Sequence, residues 1–247
     1  MKAFFFVCAL LASVGAHAQT FACPAGTEDM MNYFLMSYPD RIDKHMGPGN
    51  ANPAYNVIVP ESGPSYPPQG VFFWIKSVKG YPWDVKTFDD KYIYDRGTEL
   101  NWNDPTSFKR FNRDLPISQR CVGARRAGNP IRVPPSASAY SFFNSCLPYT
   151  TKSLSYVRNT ISAPVNVNVG NAGSVKTRYF RYRYACDSSY ANCRYMEVFS
   201  LGYGIGHYDW KYYVRQNGQW VFVKESLINQ LALGQTTPSL PCTTSYQ

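Results

Sequence analysis

The chain is poor in histidine, with three in 247 residues, and it lacks the short motifs that mark common catalytic centres. No C-x-x-C occurs, which removes zinc ribbons, redox dithiols and c-type haem attachment. There is no G-x-S-x-G, H-E-x-x-H, P-loop or EF-hand pattern, so serine-hydrolase, zincin, nucleotide-triphosphatase and EF-hand calcium readings lack positive support. Past residue 18 no apolar run approaches the roughly 20 residues that a membrane-spanning helix needs. No internal repeat divides the chain. No nucleic-acid-binding motif occurs either, so nucleic acid is not an expected partner.

Residues 1–18 read as a signal peptide. Lys2 is the charged start, Ala3 to Ala16 the apolar stretch, and Ala16-His17-Ala18 the cleavage site before Gln19. Cleavage after Ala16 would instead leave an amino-terminal His17, which together with a second histidine makes a copper brace, but Ala-His-Ala is the better site. The mature protein is expected to be secreted or periplasmic, without a transmembrane segment. Six of the seven cysteines remain, an even set that suggests disulfides in an oxidising compartment. Cys186 and Cys193 flank a short loop between two strand-like runs, which brings them within bonding range. Cys121 with Cys146 and Cys23 with Cys242 are the pairs left over. Without Lys2 the basic residues number 24 against 16 acidic ones, a net charge of +8. That charge suits acidic polysaccharide, phosphate-bearing envelope polymers or anionic surfaces.

Residues 19–247 read as one β-rich domain with a loose tail at 235–247. Tyr55 to Val59, Val71 to Val78, Trp83 to Phe88, Lys91 to Arg96 and Thr98 to Trp102 carry strand patterns, with a turn at Gly80-Tyr81-Pro82 and a hairpin across Asp89-Asp90. Helices are expected at Thr27 to Met36, capped by Thr27, at Pro105 to Asn112 behind Asp104, and from Lys224 to Leu233. Leu115 to Pro135 reads as an irregular basic connection. Ser155 to Ile161 and Val165 to Val169 alternate as half-buried strands. From Val175 to Lys224 the pattern is a four-strand antiparallel meander whose last hairpin turns at Asn217-Gly218, the residue pair that a type I′ turn requires. The expected fold is therefore mainly β with a few short helices, an antiparallel sheet or sandwich with a C-terminal meander, braced by disulfides.

Strand alternation assigns the faces of that last hairpin. Trp210, Tyr212, Val214, Val221 and Val223 form one apolar face, expected to be core. Lys211, Tyr213, Arg215, Trp220, Phe222 and Lys224 form the other, with Arg215 opposite Trp220 for a cation–π contact and Lys211 opposite Lys224. Arg181 and Arg183 lie on a similar basic face one strand pair away. If the two faces coincide, aromatic platforms are interleaved with cations, chemistry that suits acidic sugars. An ordinary solvated face with long stems over aromatic rings would read the same way.

His207, Tyr208 and Asp209 are the weak catalytic candidates, an acid–base group beside the run Gly202-Tyr203-Gly204-Ile205-Gly206, which does not have phosphate-loop spacing. The carboxylates Asp84, Asp89, Asp90, Asp95, Glu99 and Glu197 are numerous but carry no pattern. No cofactor and no metal are implied. The sequence thus favours an exported, non-catalytic protein that binds carbohydrate or an anionic envelope polymer. A polysaccharide lyase or hydrolase using His207, and a structural or subunit-interaction protein, are the alternatives.

Overall fold

The computed structural model describes residues 21–34, 41–45, 54–60, 70–76, 81–101, 104–153, 156–232 and 242. The signal-peptide reading and the tail, Cys242 apart, lie outside the described residues. The chain runs through β1 (Thr27–Asp29), α1 (Met31–Phe34), β2 (Arg41–His45), β3 (Ala54–Pro60), β4 (Gly70–Lys76), β5 (Tyr81–Phe88) and β6 (Tyr92–Asn101). It continues with β7 (Asp104–Gln119), β8 (Cys121–Gly123), β9 (Ile131–Val133), β10 (Ala139–Asn144), β11 (Leu147–Ser153), β12 (Tyr156–Ile161) and β13 (Val165–Asn168). The last four strands are β14 (Ser174–Cys186), β15 (Cys193–Gly202), β16 (Gly206–Gln216) and β17 (Gln219–Ala232).

Apart from the small β1–β8 pair, these strands form one antiparallel sheet of 15 strands in the order β11-β10-β7-β6-β5-β4-β3-β2-β17-β16-β15-β14-β12-β9, with β13 also on β14. The C-terminal meander is present as β14 to β17. The sheet curls so that β12, next to one end, packs on β7, the third strand from the other: Asn159 on β12 donates to the carbonyl of Pro116 on β7 at 2.9 Å. One core cluster joins Ile93, Leu115 and Ile117 of the first half to Val133, Val157, Ile161, Phe180 and Phe199 of the second. Met30, Met31, Tyr33 and Phe34 plug into the same core.

Of the three expected helices one is shortened and two are replaced by strand. At the amino end Thr27–Asp29 is strand and the helix begins only at Met31. Asp29 receives the Met31 N–H at 2.9 Å, so Asp29 takes the place expected of Thr27 as the cap, while the Thr27 hydroxyl bonds Pro24. Asp104 does accept the Thr106 N–H, at 2.9 Å, yet the turn it makes opens strand β7 and no helix follows. Pairing on both sides outweighs weak helix propensity there: Phe108 pairs with Glu99 of β6 and with Phe143 of β10, and stacks on the Phe143 ring at 4.4 Å. Residues 224–232 continue β17 because β2, unrecognised in the sequence, offers them a ladder from Leu227 opposite His45 to Ala232 opposite Arg41. The connection 115–135 is also more ordered than expected, containing the end of β7, β8 and β9. Tyr81 opens β5 where a turn was expected.

At Gly97 the β6–β7 register jumps, so that residues 111–114 of β7 stand against the single Arg96 of β6. A Cβ at Gly97 would stand 2.6 Å from the Lys109 carbonyl oxygen, so only glycine fits.

The disulfides are Cys23–Cys121, Cys146–Cys242 and Cys186–Cys193. The first two replace the expected Cys121–Cys146 and Cys23–Cys242. Pairing of β1 with β8 puts Asp29 opposite Cys121 and draws the amino end onto that strand. Cys146 is in the β10–β11 turn at the far edge of the long sheet, away from Cys121.

Candidate functional site

The meander registers decide where the candidate binding residues stand. Arg181 lies opposite Val198, Val198 opposite Lys211, and Lys211 opposite Glu225. One row along, Arg183 lies opposite Met196, Met196 opposite Tyr213, and Tyr213 opposite Phe222. Directly opposed residues share a face, so the basic faces of β14 and β16 coincide. Arg215 pairs with Trp220, its guanidinium 5.9 Å from the indole, and Tyr213 meets Phe222 edge-on at 5.8 Å.

Two details of this hairpin differ from simple alternation. Asn217 and Gly218 turn with φ of 50° and 80°, but a bulge at Val223 sets Lys224 opposite Tyr212. Lys224 therefore crosses to the other face, where its ammonium stands 5.1 Å from the Trp210 ring. Lys211 escapes the expected like-charge pair and instead bonds Glu225 at 3.0 Å. The supposed core face also surfaces near the tip, where Val221 and Val223 are exposed.

Alternation hid a longer feature. Arg132 on β9 lies opposite Arg158 on β12, which lies opposite Arg183 on β14. The inward neighbours Val133, Val157 and Tyr182 are buried in the core, so all three arginines point outward in one row. None of the three, nor Arg181, has a carboxylate partner among the described residues. Arg183 reaches the Thr160 hydroxyl at 3.4 Å, and Arg158 reaches the Tyr190 carbonyl at 3.5 Å while its Nε is buried without a partner. Burial, reinforced by the charges of Arg158 and Arg181, pulls the Arg183 pKa down to about 10, so it is still protonated at neutral pH. In sequence the only signal is strand period: Arg158 alternates with apolar Val157, while Arg132 falls in the irregular basic connection 115–135.

His207, Tyr208 and Asp209 do not form one acid–base group. His207 is buried, packs on Phe199 at 5.3 Å, and its Nε2 bonds the backbone carbonyl of Asp209 at 3.0 Å. The Asp209 carboxylate turns to Ser200 at 3.1 Å and Lys211 at 3.4 Å, and the Tyr208 hydroxyl bonds Thr177. A register shift between Ser200 and Leu201 separates them: His207 aligns with core-facing Leu201 and Asp209 with Ser200.

The scattered carboxylates acquire an order that spacing did not show. Lys86, buried, bonds Asp84 at 2.5 Å and Asp95 at 3.3 Å. Burial pushes Asp84 up to about 7 against the opposing pull of Lys86. Burial also opposes the Lys86 charge, but the two aspartates outweigh it and its pKa rises. Glu197 is raised by burial too, although the Trp210 indole N–H donates to it at 2.8 Å; Asp95 and Lys109 are near enough to bear on it. Around Glu197 runs a strip of near-parallel rings: Tyr184 with Tyr195 at 5.1 Å, Tyr195 with Tyr212 at 6.3 Å, and Tyr212 with Trp210 at 6.2 Å. Asp89, by contrast, is a turn residue that accepts the N–H groups of Lys91 and Tyr92.

An open depression of about 480 Å³ lies at the amino end, lined by Glu28, Asn32, Lys176 and Tyr203 among others. Both of its carboxylates are committed: Glu28 bonds Lys176, Arg178 at 3.3 Å and Tyr33 at 2.8 Å, and Asp29 bonds Arg120 at 3.1 Å. These contacts fasten the amino-terminal segment to the sheet. Among the described residues no group of three or more His, Cys, Asp or Glu is placed to hold a metal ion, and no helix is long and apolar enough to cross a membrane. The sequence matches no protein-family model, and comparison with curated proteins and with solved structures finds no similar chain.

Proposed function

We propose that this chain is an exported, non-catalytic binding protein that recognises carbohydrate or another anionic envelope polymer through the outer face of β9, β12 and the meander. The observation that carries the reading is the row Arg132, Arg158 and Arg183, flanked by Arg181, with no carboxylate partner among the described residues. Like charges set directly opposite cost stability. An ordinary solvated face intersperses acids to relieve that cost, as Glu225 does for Lys211. A bound polyanion would relieve it for the arginines. The net charge of +8 without residues 1–18 and the three disulfides support an anionic ligand met outside the cytoplasm. The test is retention on immobilised acidic polysaccharide across a salt series. Wild type should be retained with a salt dependence equal to several ion contacts, and Arg158→Ala with Arg183→Ala should elute at clearly lower salt. Equal elution removes the reading.

A second reading, a polysaccharide-active enzyme, draws on one observation: Asp84, Asp95 and Glu197 collect near an aromatic strip, and Asp84 titrates close to neutrality. Strongly perturbed carboxylates cluster at active sites. It predicts release of reducing ends or unsaturated products from uronic-acid polymers, lost in Asp84→Asn. No release by the wild-type protein removes it.

A further inference from the structure

The polyanion reading above leaves the ligand class open, and the inference here rests on that reading. We propose that the outer face takes a polysaccharide bearing one carboxylate on each sugar, and that Tyr190 is the residue that separates this ligand from other polyanions.

The first argument is spacing. Arg132, Arg158 and Arg183 are direct cross-strand partners on three adjacent strands, so their origins repeat at the strand separation, ~4.8 Å. That is close to the length of one pyranose ring in an extended glycan. Neighbouring phosphates of an inorganic polyphosphate share an oxygen and lie closer together. Arg158, with its Nε buried, has little freedom to adjust to a different repeat.

The second argument is the loop at the end of the row. Residues 187–192 are closed by the Cys186–Cys193 disulfide and gathered around Asp187. That carboxylate accepts Ser189 Oγ at 2.7 Å, Asn192 Nδ2 at 2.8 Å and the Ala191 N–H at 3.2 Å. Arg215 of the β16–β17 hairpin clamps the loop further, donating to the Ala191 carbonyl and to Asn192 Oδ1. This framework holds Tyr190 in the left-handed region, φ 62°, and sets its ring among the arginines. The Arg132 guanidinium stands 5.8 Å from the Tyr190 ring, the Tyr190 carbonyl accepts from Arg158, and Tyr156 meets the ring edge-on at 5.1 Å. One residue thus contacts two of the three row arginines and brings an aromatic surface beside them. A sugar has an apolar C–H face to lay on such a ring, while a phosphate chain has none. At the other end of the row, Tyr213 and half-exposed Phe222 present a second pair of rings.

The test compares a homopolyuronate fragment with inorganic polyphosphate of equal charge, by titration at about 150 mM salt. Wild type should bind the polyuronate at least about tenfold more tightly. Tyr190→Ala should lose about tenfold on the polyuronate, the loss of one ring contact, and change by less than about twofold on polyphosphate. Tyr190→Phe, which keeps the ring, should retain the preference. Equal or tighter polyphosphate binding by wild type, or equal losses on both probes in Tyr190→Ala, overturns the proposal while leaving the polyanion reading standing. Binding of neither probe by wild type removes both.

Discussion

Arg158 and Arg183 face each other directly across the β12–β14 ladder, and Arg183 in turn lies across from Met196, a buried side chain on the same outward face. The arginines either cover that methionine as a matter of packing or wait for an anion. Replacement of Arg158 by Gln separates the two. Relief of the like-charge contact should raise stability by ~0.5 kcal/mol at low ionic strength, a gain that shrinks as salt screens the pair. The measurement is the urea midpoint at two salt concentrations. A loss of stability at both would mean that the side chain serves as cover.

Asp84 predicts a pH dependence whose sign follows from its raised pKa. Between the ordinary aspartate value of 3.8 and about 7 the folded protein holds a proton at Asp84 that the unfolded chain has released. This group's contribution to stability therefore falls as pH rises through that window. Asp84→Asn removes the titration. Wild-type stability minus variant stability, from denaturant unfolding, should decline from pH 4 to about pH 7 and level off above it. A difference that is flat with pH contradicts the assignment.

Glu28 is the only carboxylate on Arg178 among the described contacts, and the Arg178 side chain is fully buried. Its other bonds go to the carbonyls of Arg126, Ser162 and Gly123 at 2.8–2.9 Å. Glu28→Ala leaves the guanidinium enclosed without a counter-charge and should cost ~3 kcal/mol. Arg96 and Asp114 are paired at 2.9 Å nearer the surface, and Asp114 also accepts from the Thr87 hydroxyl; Asp114→Ala should cost less, ~1–2 kcal/mol. Thermal denaturation of the two variants side by side tests the ranking.

Gly97→Ala should destabilise by ~2 kcal/mol, because the new methyl group meets backbone that cannot swing aside. Gly218→Ala has open space around the position and pays only for its positive φ, ~1 kcal/mol. Equal losses would mean that β7 shifts to accommodate the methyl group.

A non-reduced peptide map should recover Cys23 joined to Cys121 and Cys146 joined to Cys242. The Cys186–Cys193 pair should appear within one short peptide unless cleavage falls between them.

Much of the second half of the molecule is legible in the sequence alone. Asn217-Gly218 specified its turn because only residues tolerant of positive φ fit there, and the pairing of Gln216 with Gln219, Val214 with Val221 and Arg215 with Trp220 followed from it. Two residues further on the reading failed, since no local signal marks the bulge at Val223, and from there Lys224 and Lys211 change partners. The helix expected at 224–233 failed for a different reason. Leu227 and Leu231 have helical spacing, and only the presence of β2 alongside makes strand the better state for those backbone groups.

The candidate face divides along the same line. Composition, an even set of six cysteines past residue 18 and period-2 alternation are local properties, and they suffice for a disulfide-braced β protein with an aromatic, basic surface on its meander. The row Arg132, Arg158 and Arg183, and the cluster Asp84, Lys86 and Asp95, depend on which strands become neighbours and in what register. Cross-strand register is set by long-range pairing and by bulges, and a slip of one residue sends a side chain to the opposite face. Residue types and their alternation therefore came from the chain itself, while the company each charge keeps was decided only when the sheet closed up around it.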